Sequence, residues 1–249
     1  VQTILAHDID GDGLTEIICG TGGGCIETLD EEGQRRWLTR IDWGTPDRLA
    51  VVEMGDGSKT VLSQNSRNSS QSTTWRLQPD GAITASNALT NDRGGWDMTA
   101  APSLMVADLN GDGSQEAVVG RSGAYNEIAL YDAVSGERKW THTLGDSADC
   151  LASVDGEVVV GSRSGWLCAF DLTGRQLWAT QMPHEVITVQ ARGDGLFVAC
   201  GDNGVYWVGK DGRVGGAYRL LGEPAWQSVR IGSGVVVADA TGRVAHVAG

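Results

Sequence analysis

Long apolar runs, proline and positive charge are what this sequence has least of. No stretch approaches the roughly 18 consecutive apolar residues of a membrane-spanning helix, and no segment keeps an amphipathic-helix period over several turns. Prolines number 5 against 36 glycines, and the aliphatic stretches are short and evenly spaced, so the composition favours many strands joined by tight turns. Lys and Arg number 19 against 32 Asp and Glu, which gives a formal net charge of -13 and a pI near 4.6. That balance argues against nucleic acid as a partner, because its affinity rests on cations that neutralise phosphates. The cysteines, Cys19, Cys25, Cys150, Cys168 and Cys200, are too few and too irregular for a disulfide scaffold. Cys19 and Cys25 flank a hairpin loop and are candidates to pair; the alternative is that all are small buried strand residues. Zinc-ligand spacing, a nucleophile elbow and a phosphate loop are missing. So is a signal peptide, and the chain opens on Val1 directly at a strand, which leads to the expectation of a processed chain or a piece of a longer protein.

What is present is an oxygen-rich loop in two copies. Asp8-Ile9-Asp10-Gly11-Asp12-Gly13-Leu14-Thr15-Glu16 recurs as Asp108-Leu109-Asn110-Gly111-Asp112-Gly113-Ser114-Gln115-Glu116. Side-chain oxygens stand at positions one, three, five and nine, and the position-seven carbonyl adds another, the arrangement a hard cation with six to eight oxygen ligands requires. The expected ligands are Asp8, Asp10, Asp12, the Leu14 carbonyl and Glu16 in the first loop. In the second they are Asp108, Asn110, Asp112, the Ser114 carbonyl and Glu116. Without a cation the clustered carboxylates repel by up to about 4 kcal/mol per pair at 4 Å and an effective dielectric near 20. An EF-hand is excluded, because it needs Glu at position twelve and a following helix. Here position twelve is Cys19 or Val119, and Ile17-Ile18-Cys19 and Ala117-Val118-Val119 read as buried strands. The loops resemble the calcium loops of FG-GAP and VCBS-type β-propeller repeats. That resemblance implies two Ca2+ sites and an extracellular or periplasmic protein; two ions would bring the net charge to about -9.

A longer period runs through the chain. A strand, a turn glycine and an aromatic strand recur as Ile26 to Leu29, Gly33, Trp37; Ile128 to Tyr131, Gly136, Trp140; Leu167 to Phe170, Gly174, Trp178; and Tyr206 to Val208, Gly212, Tyr218. Units of about 40 residues with four short strands each are the mark of propeller blades. The expected fold is therefore all-β, a single β-propeller domain over 1–249 with about six four-stranded blades, near 1–41, 42–90, 96–145, 146–183, 184–222 and 223–249. The second unit carries a shortened loop, Glu53 to Gly57, and a polar insert, Gln64 to Thr73. The last unit lacks its fourth strand, and an upstream segment or domain of the same protein is expected to supply it; more upstream repeats would make seven or eight blades. The turn-Gly-Trp hairpins also look like those of PQQ-like propellers, where the aromatic packs between blades.

In that strand order the calcium loops share one face, and the fourth-to-first and second-to-third connections share the other. The residues sorted to this second face include Trp43, Asp47, Arg93, Trp96, Asp97, Tyr125, Asp149, His184 and Trp226. Aromatics beside carboxylates and arginines suit a sugar, whose faces stack on rings while its hydroxyls meet polar groups. The expected role is a binding domain for a carbohydrate or protein ligand. The alternative is a polysaccharide lyase or hydrolase, with His184 and Tyr125, Asp149 or Glu185 as an acid/base set. Surface loops are polar in any protein, so polarity alone does not mark this face as a site.

Overall fold

The computed structural model describes residues 1–41, 44–65, 74–86, 88–89, 102–123, 125–220, 225–231, 234–239 and 241–247. Every regular element among them is a strand, and the strands form six antiparallel sheets in chain order. The first holds β1 (Thr3–His7), β2 (Glu16–Thr21), β3 (Cys25–Leu29) and β4 (Arg35–Arg40). The second holds β5 (Pro46–Glu53), β6 (Lys59–Asn65), β7 (Thr74–Leu77) and β8 (Ile83–Ala85), and the third β9 (Ser103–Ala107), β10 (Glu116–Gly120), β11 (Glu127–Asp132) and β12 (Arg138–Thr143). In the fourth are β13 (Ala148–Val154), β14 (Glu157–Ser162), β15 (Trp166–Phe170) and β16 (Gln176–Gln181). The fifth contains β17 (Val186–Arg192), β18 (Gly195–Cys200), β19 (Gly204–Gly209) and β20 (Val214–Arg219). The sixth has three strands, β21 (Ala225–Ile231), β22 (Gly234–Asp239) and β23 (Val244–Val247).

The chain divides into two compact units, Val1–Tyr125 with Ala129–Trp140, and Asn126–Ile128 with Thr141–Gly249. In the first unit, Ile18 and Ile26 of the first sheet pack with Val61, Trp75 and Leu77 of the second. Val52 and Leu62 then meet Ala117, Val119 and Tyr131 of the third sheet. In the second unit, Leu167 and Ala169 pack with Val198 and Val208, and Phe197 and Val205 with Val235 and Val237. Each aliphatic side chain so buried contributes about 1.5–3 kcal/mol. Middle strands such as β14, β18 and β10 are buried nearly throughout, whereas β12 alternates half-buried and exposed residues and β20 is exposed along its length. That gradient explains why the middle strands read as continuous apolar runs and the outermost as polar ones.

The aromatic period has a packing role in each unit. The Trp37 ring lies where a Cβ on Gly81 would be 2.7 Å away, its Nε1 donates to the Pro79 carbonyl at 2.6 Å, and Thr39 Oγ1 donates to the Gly81 carbonyl at 2.7 Å. Trp178 covers Gly212 in the same way, and Thr180 Oγ1 donates to the Gly212 carbonyl at 2.6 Å. A Trp-x-Thr strand thus latches onto the turn glycine of the next sheet.

Two expectations are corrected or resolved here. The polar insert begins later than Gln64, because Gln64 and Asn65 belong to β6, pairing with Arg48 and Pro46; Gln64 is fully buried. All cysteines are free thiols. In the β2–β3 ladder Cys19 stands opposite Glu27 and Cys25 opposite Thr21, so the two thiols are not cross-strand partners.

Candidate functional site

The first oxygen-rich loop joins β1 to β2 and the second joins β9 to β10. Their apolar second residues, Ile9 and Leu109, are buried and anchor each loop to its sheet. Gly11 and Gly13 sit at φ 79° and 88°, and Gly111 and Gly113 at 76° and 88°, conformations in which a side chain is strained. The carboxylates organise the turn. Asp8 accepts hydrogen bonds from the Gly11 and Gly13 amides at 2.7 and 3.3 Å, and Asp108 from those of Gly111 and Gly113 at 2.7 and 2.9 Å. Asp12 accepts from Leu14 N and Asp112 from Ser114 N, both at 2.8 Å. At the loop base the buried Glu16 accepts from Ile9 N at 2.9 Å, and Glu116 from Leu109 N at 3.0 Å.

Oxygens of Asp8, Asp10 and Glu16 lie within 4.8 Å of one another. The residues fit a hard cation, since the donor set is all oxygen and the turn already points those oxygens inward. Basic side chains also reach the first cluster: Arg36 bridges Asp10 and Glu16 at 2.8 and 2.7 Å, and Lys59 lies 3.7 Å from Asp8. Arg36 reaches inward because it is the extra residue of a β-bulge in β4, between the pairs Thr28↔Trp37 and Leu29↔Arg35. Burial would raise the Asp8 carboxyl, but the Gly11 amide, Lys59 and the Gly13 amide outweigh it and hold it below its ordinary range. In the second loop Asn110 replaces the Asp, and its Nδ2 donates to Asp112 and Glu116 at 2.9 and 3.3 Å. The Ser114 amide, followed by Asn110, lowers the Asp112 carboxyl. The shortened loop of the second sheet closes as a plain turn, with the Met54 amide donating to the Ser58 carbonyl at 2.7 Å and the Gly57 amide to the Met54 carbonyl at 2.8 Å.

On the other candidate face, Trp43, Arg93, Trp96 and Asp97 lie outside the described residues, as does the side chain of Trp226. Asp47, Asp149 and Trp226 occupy equivalent positions. Each is the extra residue of a bulge near the start of the first strand of its sheet, between Pro46/Arg48, Ala148/Cys150 and Ala225/Gln227. For Asp47 and Asp149 the bulge re-aims the side chain out of the ladder. Asp149 accepts from Ser147 Oγ and from Arg163 Nε, the latter at 3.1 Å. His184 Nδ1 is 4.0 Å from Glu185, and both side chains are well exposed. A Cβ on Gly201 would meet His184 Nδ1 at 2.4 Å, so that position needs glycine for His184 to lie where it does. Tyr125 is half-buried just before β11. Asp149 is thus drawn to Ser147 and Arg163, and His184 to Glu185. Nearby, Tyr206 donates to Asp202 at 2.5 Å, and burial together with that carboxylate pushes its hydroxyl up to about 12.

Sequence reasoning missed Arg36, His142 and Trp166. Trp166 is 43% exposed and opens β15, while the His142 ring lies 4.8 Å from that of Phe170. Of these, His142 alone left a signal, a departure from the repeat: it stands where Thr39 and Thr180 stand in the Trp-x-Thr pattern.

Residues 124–248 match the family described as outer membrane protein assembly factor BamB. No curated protein matches the chain. Among solved structures, BBS1N in complex with ARL6DN, soaked with lead, is similar with a TM-score of 0.80 at 12% identity, covering 99% of this chain and 78% of that one. The computationally designed Ika8 protein is similar with a TM-score of 0.69 at 16% identity, over 93% and 67%. BamB from Moraxella catarrhalis gives 0.58 at 18% identity, over 98% and 83%. These likenesses show the fold, that of β-propeller repeats.

Proposed function

Because the chain belongs to the family described as outer membrane protein assembly factor BamB, we propose that it is a propeller-type interaction domain of the periplasm or extracellular space, stabilised by two calcium ions, with a carbohydrate or protein ligand. Family membership is the observation that carries the interaction role. The BBS1N structure is itself of a complex, with ARL6DN, and supports partner binding as a use of the fold.

Calcium would be held by Asp8, Asp10, Asp12, the Leu14 carbonyl and Glu16, and by Asp108, Asn110, Asp112, the Ser114 carbonyl and Glu116, as in FG-GAP and VCBS-type loops. Its chemistry there is charge neutralisation and cross-linking of a turn, which stabilises the folded chain by mass action. The carbohydrate reading draws on the bulge-borne positions of Asp47, Asp149 and Trp226, on Tyr125 in the β10–β11 connection and on His184 in the β16–β17 connection. Trp43, Arg93, Trp96 and Asp97, the remaining residues of that reading, lie outside the described residues. The His184–Glu185 pair keeps a polysaccharide lyase or hydrolase as the second reading.

A glycan array probed with the purified chain in calcium tests the ligand class, and retention of at least one glycan is expected. An array without retention contradicts the carbohydrate reading. Turnover with unsaturated, ultraviolet-absorbing products replaces binding by the lyase reading.

A further inference from the structure

We propose that the cavity between β12 and the β15–β16 face of the fourth sheet binds a neutral sugar ring, an inference that rests on the carbohydrate reading above. The cavity measures ≈ 270 Å3 and is lined by His142, Ser162, Ser164, Trp166, Cys168 and Gln176 among others.

 Of the two cavities described in the second unit, the other, ≈ 350 Å3 beside Phe197, Trp207 and Tyr218, offers mainly apolar and aromatic walls. The smaller one combines rings with hydroxyl and amide groups, and it has room for a single sugar ring rather than a drug-sized ligand.

Trp166 supplies the platform, and its backbone is fixed before any ligand arrives. The Gly165 amide donates to the Ser162 carbonyl at 3.1 Å, the Trp166 amide to Ser162 Oγ at 2.9 Å, and the Met182 amide to the Gly165 carbonyl at 2.8 Å. Gln181 Nε2 ties the same turn down at the Ser164 carbonyl, at 3.0 Å. A large ring left 43% exposed on so well-anchored a turn costs solvation unless something covers it. His142 forms part of the facing wall, with its ring tilted by 54° against Phe170. At this position of the repeat Thr39 and Thr180 serve the latch, so packing alone does not call for an imidazole.

The chemistry of the lining selects the ligand. A pyranose offers a C–H face to an aromatic ring and hydroxyls around its rim, which meet the Ser162 and Ser164 hydroxyls, the Gln176 amide and the His142 nitrogens. Among the described residues lining the cavity none is Asp, Glu, Lys or Arg. A uronate would find no cation there, within a chain of net charge -13.

Calorimetry and saturation-transfer NMR on the whole chain, with β-linked disaccharides of glucose and of N-acetylglucosamine and with digalacturonate, test the proposal. A neutral disaccharide should bind. Trp166→Ala should weaken it on the order of tenfold, Trp166→Phe should retain most of the affinity, and His142→Thr, which restores the repeat residue, should weaken it several-fold with the melting temperature unchanged. Neutral-sugar binding that neither Trp166→Ala nor His142→Thr alters would overturn this site and leave the carbohydrate reading standing. Binding of none of the sugars would overturn this site, the glycan array deciding the carbohydrate reading separately, and preference for digalacturonate would overturn the neutral specificity.

Discussion

At the scale of residues, side-chain oxygens organise many of the described turns, and both sharp tests at this scale concern such turns. Asp171 accepts from Thr173 Oγ1, from the Thr173 and Arg175 amides and from Arg175 Nε, and the Thr173 hydroxyl leads in lowering its carboxyl to about 2 from an ordinary 3.8. A depressed carboxylate stabilises the fold above its unfolded value, so this contribution is complete above about pH 4 and is lost as pH falls through about 2. Thr173→Ala should move the Asp171 midpoint toward 3.8, read by carbon-detected NMR titration; an unmoved midpoint contradicts the assignment. The second test concerns Arg36, which with Lys59 brings positive charge to the first loop. In an Asp112→Asn background that disables the second loop, Arg36→Ala should tighten calcium several-fold at the first loop and lower the melting temperature of the metal-free chain. Equal or weaker calcium binding in calorimetry would show that Arg36 does not compete for those carboxylates.

At the scale of elements, the latch between neighbouring sheets explains which glycines matter. Gly212 has φ 78° and would set a Cβ 2.7 Å from the Trp178 ring, whereas Gly33 has φ 80° with open space around it. Both Ala substitutions incur the left-handed strain of about 1 kcal/mol, and only Gly212→Ala adds an overpacking cost of about 1–3 kcal/mol. Urea unfolding of the two variants should separate them by that margin; equal losses would contradict the latch. This device was legible in the sequence, because Trp37, Trp140 and Trp178 recur at a fixed place after a turn glycine. The oxygen-rich loops were legible for a similar reason, since their side-chain oxygens come from neighbours in the chain. Arg36 was not, because its direction depends on a bulge that strand alternation does not announce. Nor was Trp166: an aromatic at the start of a strand reads as core until the packing shows one face left open.

At the scale of the whole molecule, an excess of acidic groups meets a fold of short strands with no helix among the described residues to share the load. A formal charge of -13 raises self-repulsion in the compact state, and two divalent ions at the first and third sheets would offset part of it. An ion that binds only the folded chain adds about 2.7 kcal/mol when its concentration is a hundredfold above Kd. The most direct measurement is thermal melting of the purified chain in calcium and in excess chelator, paired with elemental analysis. Two calcium ions per chain and a melting temperature lowered by several degrees on chelation are expected; an unchanged melt with no bound metal would contradict calcium stabilisation.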